Sequence, residues 1–129
     1  MLNLLRKIIP ERSPIRLTYH KISAMGAAIW YGFPAKKMQV IGITGTSGKS
    51  STVEILHTLL NSSDAPCGAI SSIQIHVGAN ILPNHSLRTT LRPWKTQKLL
   101  RQMYKSGCQN VILEVSSHAL DQNRLWGID

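Results

Sequence analysis

Val40-Ile41-Gly42-Ile43-Thr44-Gly45-Thr46-Ser47-Gly48-Lys49-Ser50-Ser51 is the stretch that decides the fold. Residues 40–43 are a short β-branched run suited to a buried parallel strand. A Gly-rich turn ending in Gly-Lys-Ser follows, and residues 52–61 then carry Val53, Leu56, Leu59 and Leu60 at helical spacing. Strand, Gly-rich turn and helix, in that order, are the context that a phosphate-binding loop requires. Glycines let backbone N–H groups approach phosphate oxygens with no Cβ in the way. The helix N-terminus adds its dipole and its free N–H groups. Gly45, Thr46, Ser47, Gly48, Lys49, Ser50 and Ser51 therefore make a candidate nucleotide-phosphate loop. Lys49 supplies a point charge for the β- and γ-phosphates, and the Ser50 hydroxyl a Mg²⁺ ligand. The common pattern places glycine at position 43; this chain has Ile43, with glycines at 42 and 45 instead. A bare Gly-Lys-Ser also fits a solvated helix cap, but the preceding strand and the two upstream glycines favour the nucleotide.

Downstream, residues 67–76 read as one strand through Ala69, Ile70, Ile73 and Ile75, and residues 77–83 as a turn with a short extended piece. Residues 84–92 form a polar loop that includes Thr89-Thr90. Pro93 suits the first turn of a helix running to about Ser106, with Leu99, Leu100 and Met103 as its apolar face. Lys95, Lys98, Arg101 and Lys105 recur along one flank of that helix, the pattern of a solvated face. Gly107 ends it, and residues 110–115 are another buried strand, which makes three parallel strands in all. Glu114 stands out because a carboxylate at the end of an apolar strand is costly to bury without a partner. In open α/β sheets ligands bind beyond the carboxyl ends of the strands. Glu114 is thus either a Mg²⁺ ligand or a cap for the following turn. Ser116-Ser117-His118-Ala119-Leu120-Asp121-Gln122-Asn123-Arg124 then concentrates hydroxyl, imidazole, amide and guanidinium groups, with Arg124 suited to grip an anion. His118 is either a structural histidine or a metal or substrate contact. Ser116, His118 and Asp121 lie too close in sequence for a Ser/His/Asp triad, and no G-x-S-x-G elbow is present.

Residues 43–51 together with Glu114-Val115-Ser116-Ser117-His118-Ala119-Leu120-Asp121-Gln122-Asn123-Arg124 resemble the central ATP-binding domain of the Mur ligases. Within that family the second string is most similar to the enzymes that add the third residue of the peptidoglycan stem peptide. The resemblance covers roughly residues 39–129 and implies an α/β fold, a P-loop-type mostly parallel sheet flanked by helices. It implies ATP and Mg²⁺ as cofactors, with Lys49 and Glu114 catalytic and Ser50 and Glu114 holding the metal. It further implies that Thr89, Thr90, Ser116, Gln122 and Arg124 contact UDP-N-acetylmuramoyl-dipeptide. Two departures bear on that substrate: Arg88 stands where Asn usually precedes the Thr pair, and Leu91 where Pro often follows. The implied chemistry is amide formation through an acyl phosphate, with diaminopimelate or lysine as incoming amino acid. The family's carbamylated lysine, its later metal-binding histidine and its amino-acid-binding domain would lie beyond Asp129. The chain is accordingly expected to be an incomplete central domain, inactive as a ligase alone. A folylpolyglutamate synthase-like ligase shares the P-loop but not the EVSSHAL string.

Composition bounds these readings. The chain has 129 residues, 43% hydrophobic and 16% charged, which suits one domain with a short appendage and leaves no room for a large multi-domain enzyme. No apolar run reaches the length of a membrane span. The net charge is +9, and residues 1–40 hold seven bases against one acid. A basic nucleotide- or nucleic-acid-binding module is the non-enzyme alternative, but no nucleic-acid motif or interleaved aromatic pattern supports it, and no nucleic acid is expected as partner. Cys67 and Cys108 belong to no metal or redox motif and read as buried thiols in a reduced cytoplasm.

Residues 1–38 form a separate N-terminal segment, and residues 39–129 the partial central domain. Residues 1–9 are basic and amphipathic, and residues 15–31 read as a helix. That helix is expected either to pack on the following domain or to lie on a membrane surface. His20 and Lys21 interrupt its early part and no small-x-small cleavage site follows, which argues against a signal peptide.

Overall fold

A computed structural model describes residues 13–85, 91–122 and 124–128. The expected N-terminal helix is present as α1 (Pro14–Trp30). Ser13 caps it, accepting a hydrogen bond from the Arg16 N–H at 3.3 Å, and Pro14 occupies the first turn, where its missing N–H costs nothing. A 3₁₀ turn (Pro34–Lys37) leads into β1 (Gln39–Ile43). Then follow α2 (Lys49–Leu60), β2 (Cys67–Ile70), β3 (Gln74–Val77), β4 (Asn80–Pro83), α3 (Pro93–Lys105), β5 (Asn110–Glu114) and the short α4 (Ser117–Asp121).

The sheet has five strands in the order β1-β5-β2-β3-β4. β1, β5 and β2 are parallel, with Ile43 beside Glu114 and Ile70 beside Leu113. β3 and β4 extend the sheet as antiparallel hairpins. The single strand expected over residues 67–76 is therefore two strands that run in opposite directions. Ser71 makes the reversal: its Oγ accepts hydrogen bonds from the Ile73 and Gln74 N–H groups at 3.2 and 3.1 Å. Ala69, Ile70, Ile73 and Ile75 read as one strand only if the interrupting Ser71-Ser72 is passed over.

Helices cover both faces of the sheet, as the α/β reading anticipated. α3 packs on one face, where Leu99, Leu100 and Met103 meet Val111, Leu113 and Val115. α2 packs on the other, where Val53 meets Cys67, Ala69 and Ile112. Only part of the apolar face expected for α2 is buried: Leu59 and Leu60 are exposed, and His57 takes the inward position beside Val53. A hydrogen bond between His57 Nε2 and the Cys67 carbonyl, 2.9 Å, makes that burial tolerable. α1 lies along α3, burying Ala24, Ala27 and Ala28, and Arg101 of α3 donates to the Tyr31 carbonyl at 2.9 Å. Arg101 thus leaves the solvated flank on which its spacing placed it. Gly68 on β2 lets α3 come close: a Cβ there would lie 2.6 Å from Met103 Sδ.

Candidate nucleotide-phosphate site

Inserting β5 between β1 and β2 fixes the site. The turn after β1 and the carboxyl end of β5 become neighbours, because Ile43, the last residue of β1, pairs with Glu114, the last of β5. Side chains alternate along a strand, so Glu114 shares the face of Ile112, the face that α2 covers. Its carboxylate therefore points at the N-terminus of α2, and Ser50 in the first turn of that helix donates to Glu114 Oε2 at 2.8 Å. The N–H of Ser72, just past β2, donates to the same oxygen at 2.6 Å. Glu114 is buried and its charge is compensated by these two donors and by the positive end of the helix dipole.

Between β1 and α2, residues 44–48 form an exposed turn. Gly48 has φ 75° and ψ 8°, a left-handed conformation that suits glycine, and it stands at the cap position of α2 with no side chain occupying the helix end. The N–H groups of Lys49, Ser50 and Ser51 open into that space, where no intrahelical carbonyl is available to them. Gly45, Thr46 and Ser47 line the turn, and Lys49 opens the helix. The donor pair at its edge, one hydroxyl and one carboxylate, consists of hard oxygen ligands. That chemistry fits Mg²⁺, which commonly takes one or two protein oxygens together with phosphate. Among the described residues no group of three or more His, Cys, Asp or Glu forms a metal cluster.

A second polar network supports this one and escaped sequence reading. Glu54, one turn beyond Ser50, accepts from Ser71 Oγ at 3.1 Å, from Gln74 Nε2 at 3.1 Å and from His76 Nε2 at 2.8 Å. Ser71 and the Ser72 that contacts Glu114 are adjacent, so Glu54 steadies the turn from which that N–H projects. His57 stacks on His76 with ring centroids 3.8 Å apart. Burial pushes the Glu54 carboxyl up, but the hydrogen bonds from His76, Gln74 and Ser71 and the nearby His76 outweigh it and hold the carboxyl below its ordinary value. Burial, reinforced by His76, holds the His57 ring below its ordinary value. One signal was available: Gln74 and His76, two apart, share a strand face.

The other expected contacts come from the segment after β5, at the same end of the sheet. Ser116 serves as the cap of α4, its Oγ accepting from the Ala119 N–H at 3.2 Å. Gln122 is buried and its Oε1 meets no hydrogen-bond donor among the described residues. Arg124 is half-buried, its N–H bonded to the Ala119 carbonyl at 3.1 Å. Thr89 and Thr90 lie outside the described residues, as does the side chain of His118. An open, mainly apolar cleft of about 430 Å³ runs beside the loop entrance, lined by Gly42, Thr44, Val115, Leu120 and Trp126 among others. A similar cavity of about 470 Å³ sits at the opposite ends of β1 and β5, between Lys36, Met38, Tyr104 and Cys108, away from the carboxyl ends where ligands of such sheets bind.

Comparison with known proteins shows the family. Residues 43–129 match the Mur ligase middle domain. The chain is 42% identical over 94 residues to the UDP-N-acetylmuramyl-tripeptide synthetase of Treponema pallidum (strain Nichols), covering 73% of this chain and 17% of that protein. It is 33% identical over 120 residues to the UDP-N-acetylmuramoyl-L-alanyl-D-glutamate--2,6-diaminopimelate ligase of Aquifex aeolicus (strain VF5), covering 92% of this chain and 24% of the relative. A solved structure of a ligase with the latter name superposes with a TM-score of 0.60 at 32% identity, over 70% of this chain and 18% of that one. The chain thus spans between 17% and 24% of the length of these relatives.

Proposed function

From the premise that this chain belongs to the Mur ligase family of peptidoglycan precursor synthesis, through its middle domain, we propose that it carries the ATP-binding part of an amide-forming ligase. The ligase would extend UDP-N-acetylmuramoyl-dipeptide by one amino acid, diaminopimelate or lysine, in a cytoplasmic setting. The observation that carries this reading is the 2.8 Å hydrogen bond between Ser50 and Glu114, a hydroxyl at the start of a phosphate-loop helix held by a strand-end carboxylate.

The residues divide the work by position. Backbone N–H groups of residues 45–51 hold the α- and β-phosphates, as exposed helix-terminal donors do. Lys49 places its ammonium against the β- and γ-phosphates and offsets the charge that develops on transfer. Ser50 and Glu114 hold Mg²⁺, which when bound supplies further positive charge beside the phosphates. Ser72 keeps Glu114 aimed at the loop through its N–H. Gln122 and Arg124, with Thr89, Thr90 and Ser116 as the family resemblance implies, orient the muramoyl-dipeptide. In the complete reaction a substrate carboxylate oxygen attacks the γ-phosphorus, the bond to the β-phosphate oxygen breaks, and an acyl phosphate and ADP result. The amine of the incoming amino acid then attacks the acyl carbon and phosphate leaves. Because the chain spans only 17% to 24% of the length of these relatives, it is proposed to bind ATP without ligating on its own.

Calorimetric titration with Mg-ATP tests the proposal. The wild-type chain should bind, and Lys49→Ala should weaken binding by about tenfold or more. Equal affinity in the variant overturns the assignment of the loop, and turnover of muramoyl-dipeptide and amino acid by the 129-residue chain overturns the proposed division of labour.

A further inference from the structure

α1 buries only one of its faces. Ala24, Ala27 and Ala28 are buried where the helix packs on the rest of the fold, whereas Ile15, Tyr19, Ile22, Ile29 and Trp30 are 61–74% exposed. At about 100° per residue these five side chains fall within roughly a third of the helix circumference, opposite Ala24. Trp94 of α3, itself partly exposed, adjoins the same face: a Cβ on Gly26 would lie 3.5 Å from its ring. A contiguous apolar stripe of this kind is more than the scattered exposed side chains that any surface carries.

Charge identifies what the stripe meets. α1 contains no Asp or Glu. At the same 100° per residue Arg16 falls roughly 40° beyond one edge of the stripe and Lys21 roughly 80° beyond the other, and Lys36 and Lys37 follow the helix. The sequence just before it adds Arg6, Lys7 and Arg12 against Glu11 alone. An apolar strip bordered by cations, with Tyr and Trp at its rim, is the pattern of a helix that lies in the plane of a bilayer of anionic lipid. Among the described residues no helix is long and apolar enough to cross a membrane, which leaves the in-plane orientation. A protein partner or a second copy would be served by the apolar strip alone; the acid-free cationic border is what an anionic surface rewards.

The geometry points to α1 as a membrane-surface docking element that seats the chain on anionic phospholipid. The apolar strip enters the headgroup boundary while the helix stays packed along α3. Such a helix contributes marginal, reversible binding, and each Lys or Arg near the surface strengthens it several-fold.

Cosedimentation of the full 129-residue chain with vesicles of phosphatidylcholine and about one third phosphatidylglycerol, the anionic fraction that such helices respond to, tests the proposal. Binding is expected on these vesicles and should weaken on phosphatidylcholine alone and at high salt. Ile22→Asp with Ile29→Asp should lower the partition coefficient by about tenfold or more. Arg16→Glu with Lys21→Glu should lower it by about fivefold or more. All four positions lie outside the buried face of α1, and circular dichroism checks that the variants fold. Independently of any variant, brominated lipid should quench the wild-type tryptophan emission. No binding to anionic vesicles, or equal binding by the Ile22/Ile29 variant, overturns the proposal. So does a monomer–dimer equilibrium that this variant abolishes without any lipid binding, which would assign the stripe to a second copy.

Discussion

Ser50 and Glu114 stand 64 residues apart in the chain and 2.8 Å apart in the fold. Two periodicities bring them together. The strand period places Glu114 on the face of Ile112, and the helix that covers that face begins with the Gly-Lys-Ser turn. A shift of one residue in the β1–β5 register would turn Glu114 toward α3 and empty the site of its carboxylate.

Close approach of β2 and α3 sets a limit at Gly68. Its missing Cβ makes room for Met103, which is fully buried and would have to shift within a packed core. Gly68→Ala should destabilise the fold by about 1–3 kcal/mol, the usual cost of overpacking. Met103→Ala alone leaves a cavity and should cost about 2–5 kcal/mol. In the double variant the new methyl partly fills that cavity, so urea unfolding should show a loss smaller than the sum of the two.

Acidification should weaken the fold in two stages. His57 is held below its ordinary value of 6.5, so the unfolded chain takes up its proton first, and stability is lost as the pH falls below about 6.5. Glu54 is held below its ordinary value of 4.5, so its contribution is present above that pH and is lost as the pH falls further. Urea midpoints measured from pH 8 down to about pH 3 should fall across both windows in the wild type. His57→Gln should flatten that part of the curve and Glu54→Gln the lower part. A midpoint that rises on acidification contradicts the account.

Neither cysteine should behave as a reactive thiol. Cys67 is buried and its thiol is pushed up to about 11, first by burial and then by Cys108 nearby. Burial also pushes Cys108 up, against weaker opposing hydrogen bonds from the backbone. The thiolate is the reactive form, so a thiol-specific disulfide reagent at neutral pH should label the native chain slowly and the urea-unfolded chain at both positions. Rapid labelling of native Cys67 would contradict its placement against α2.

The strand, loop and helix around Lys49 were legible because glycine spacing and apolar periodicity agreed there, and β5 with Glu114 was legible because a lone acid ended an apolar run. The break after Ile70 was not, since Ser71 makes the turn by accepting backbone N–H groups on its own hydroxyl rather than through Gly or Pro. That miss hid the β3–β4 hairpins and the Glu54–His76 network that rests on them. Leu59 and Leu60 fitted helical spacing yet lie exposed, because His57 found a carbonyl partner on β2 and took the inward position. The capping role of Ser116, whose hydroxyl accepts from the Ala119 N–H at the start of α4, was not legible, because nothing in the spacing marked residues 117–121 as a helix.

Mg²⁺-dependent ATP binding, measured across the double-variant cycle of Ser50→Ala and Glu114→Gln, tests the central claim most directly. If the two side chains hold one metal together, each single variant should remove most of the Mg²⁺ dependence, about tenfold in affinity, and the double variant should lose little more than either. ATP affinity without Mg²⁺ should stay within about threefold of wild type in all four proteins, because the backbone cradle and Lys49 remain. Losses that add in the double variant, or Mg²⁺ dependence that survives in it, would contradict the account.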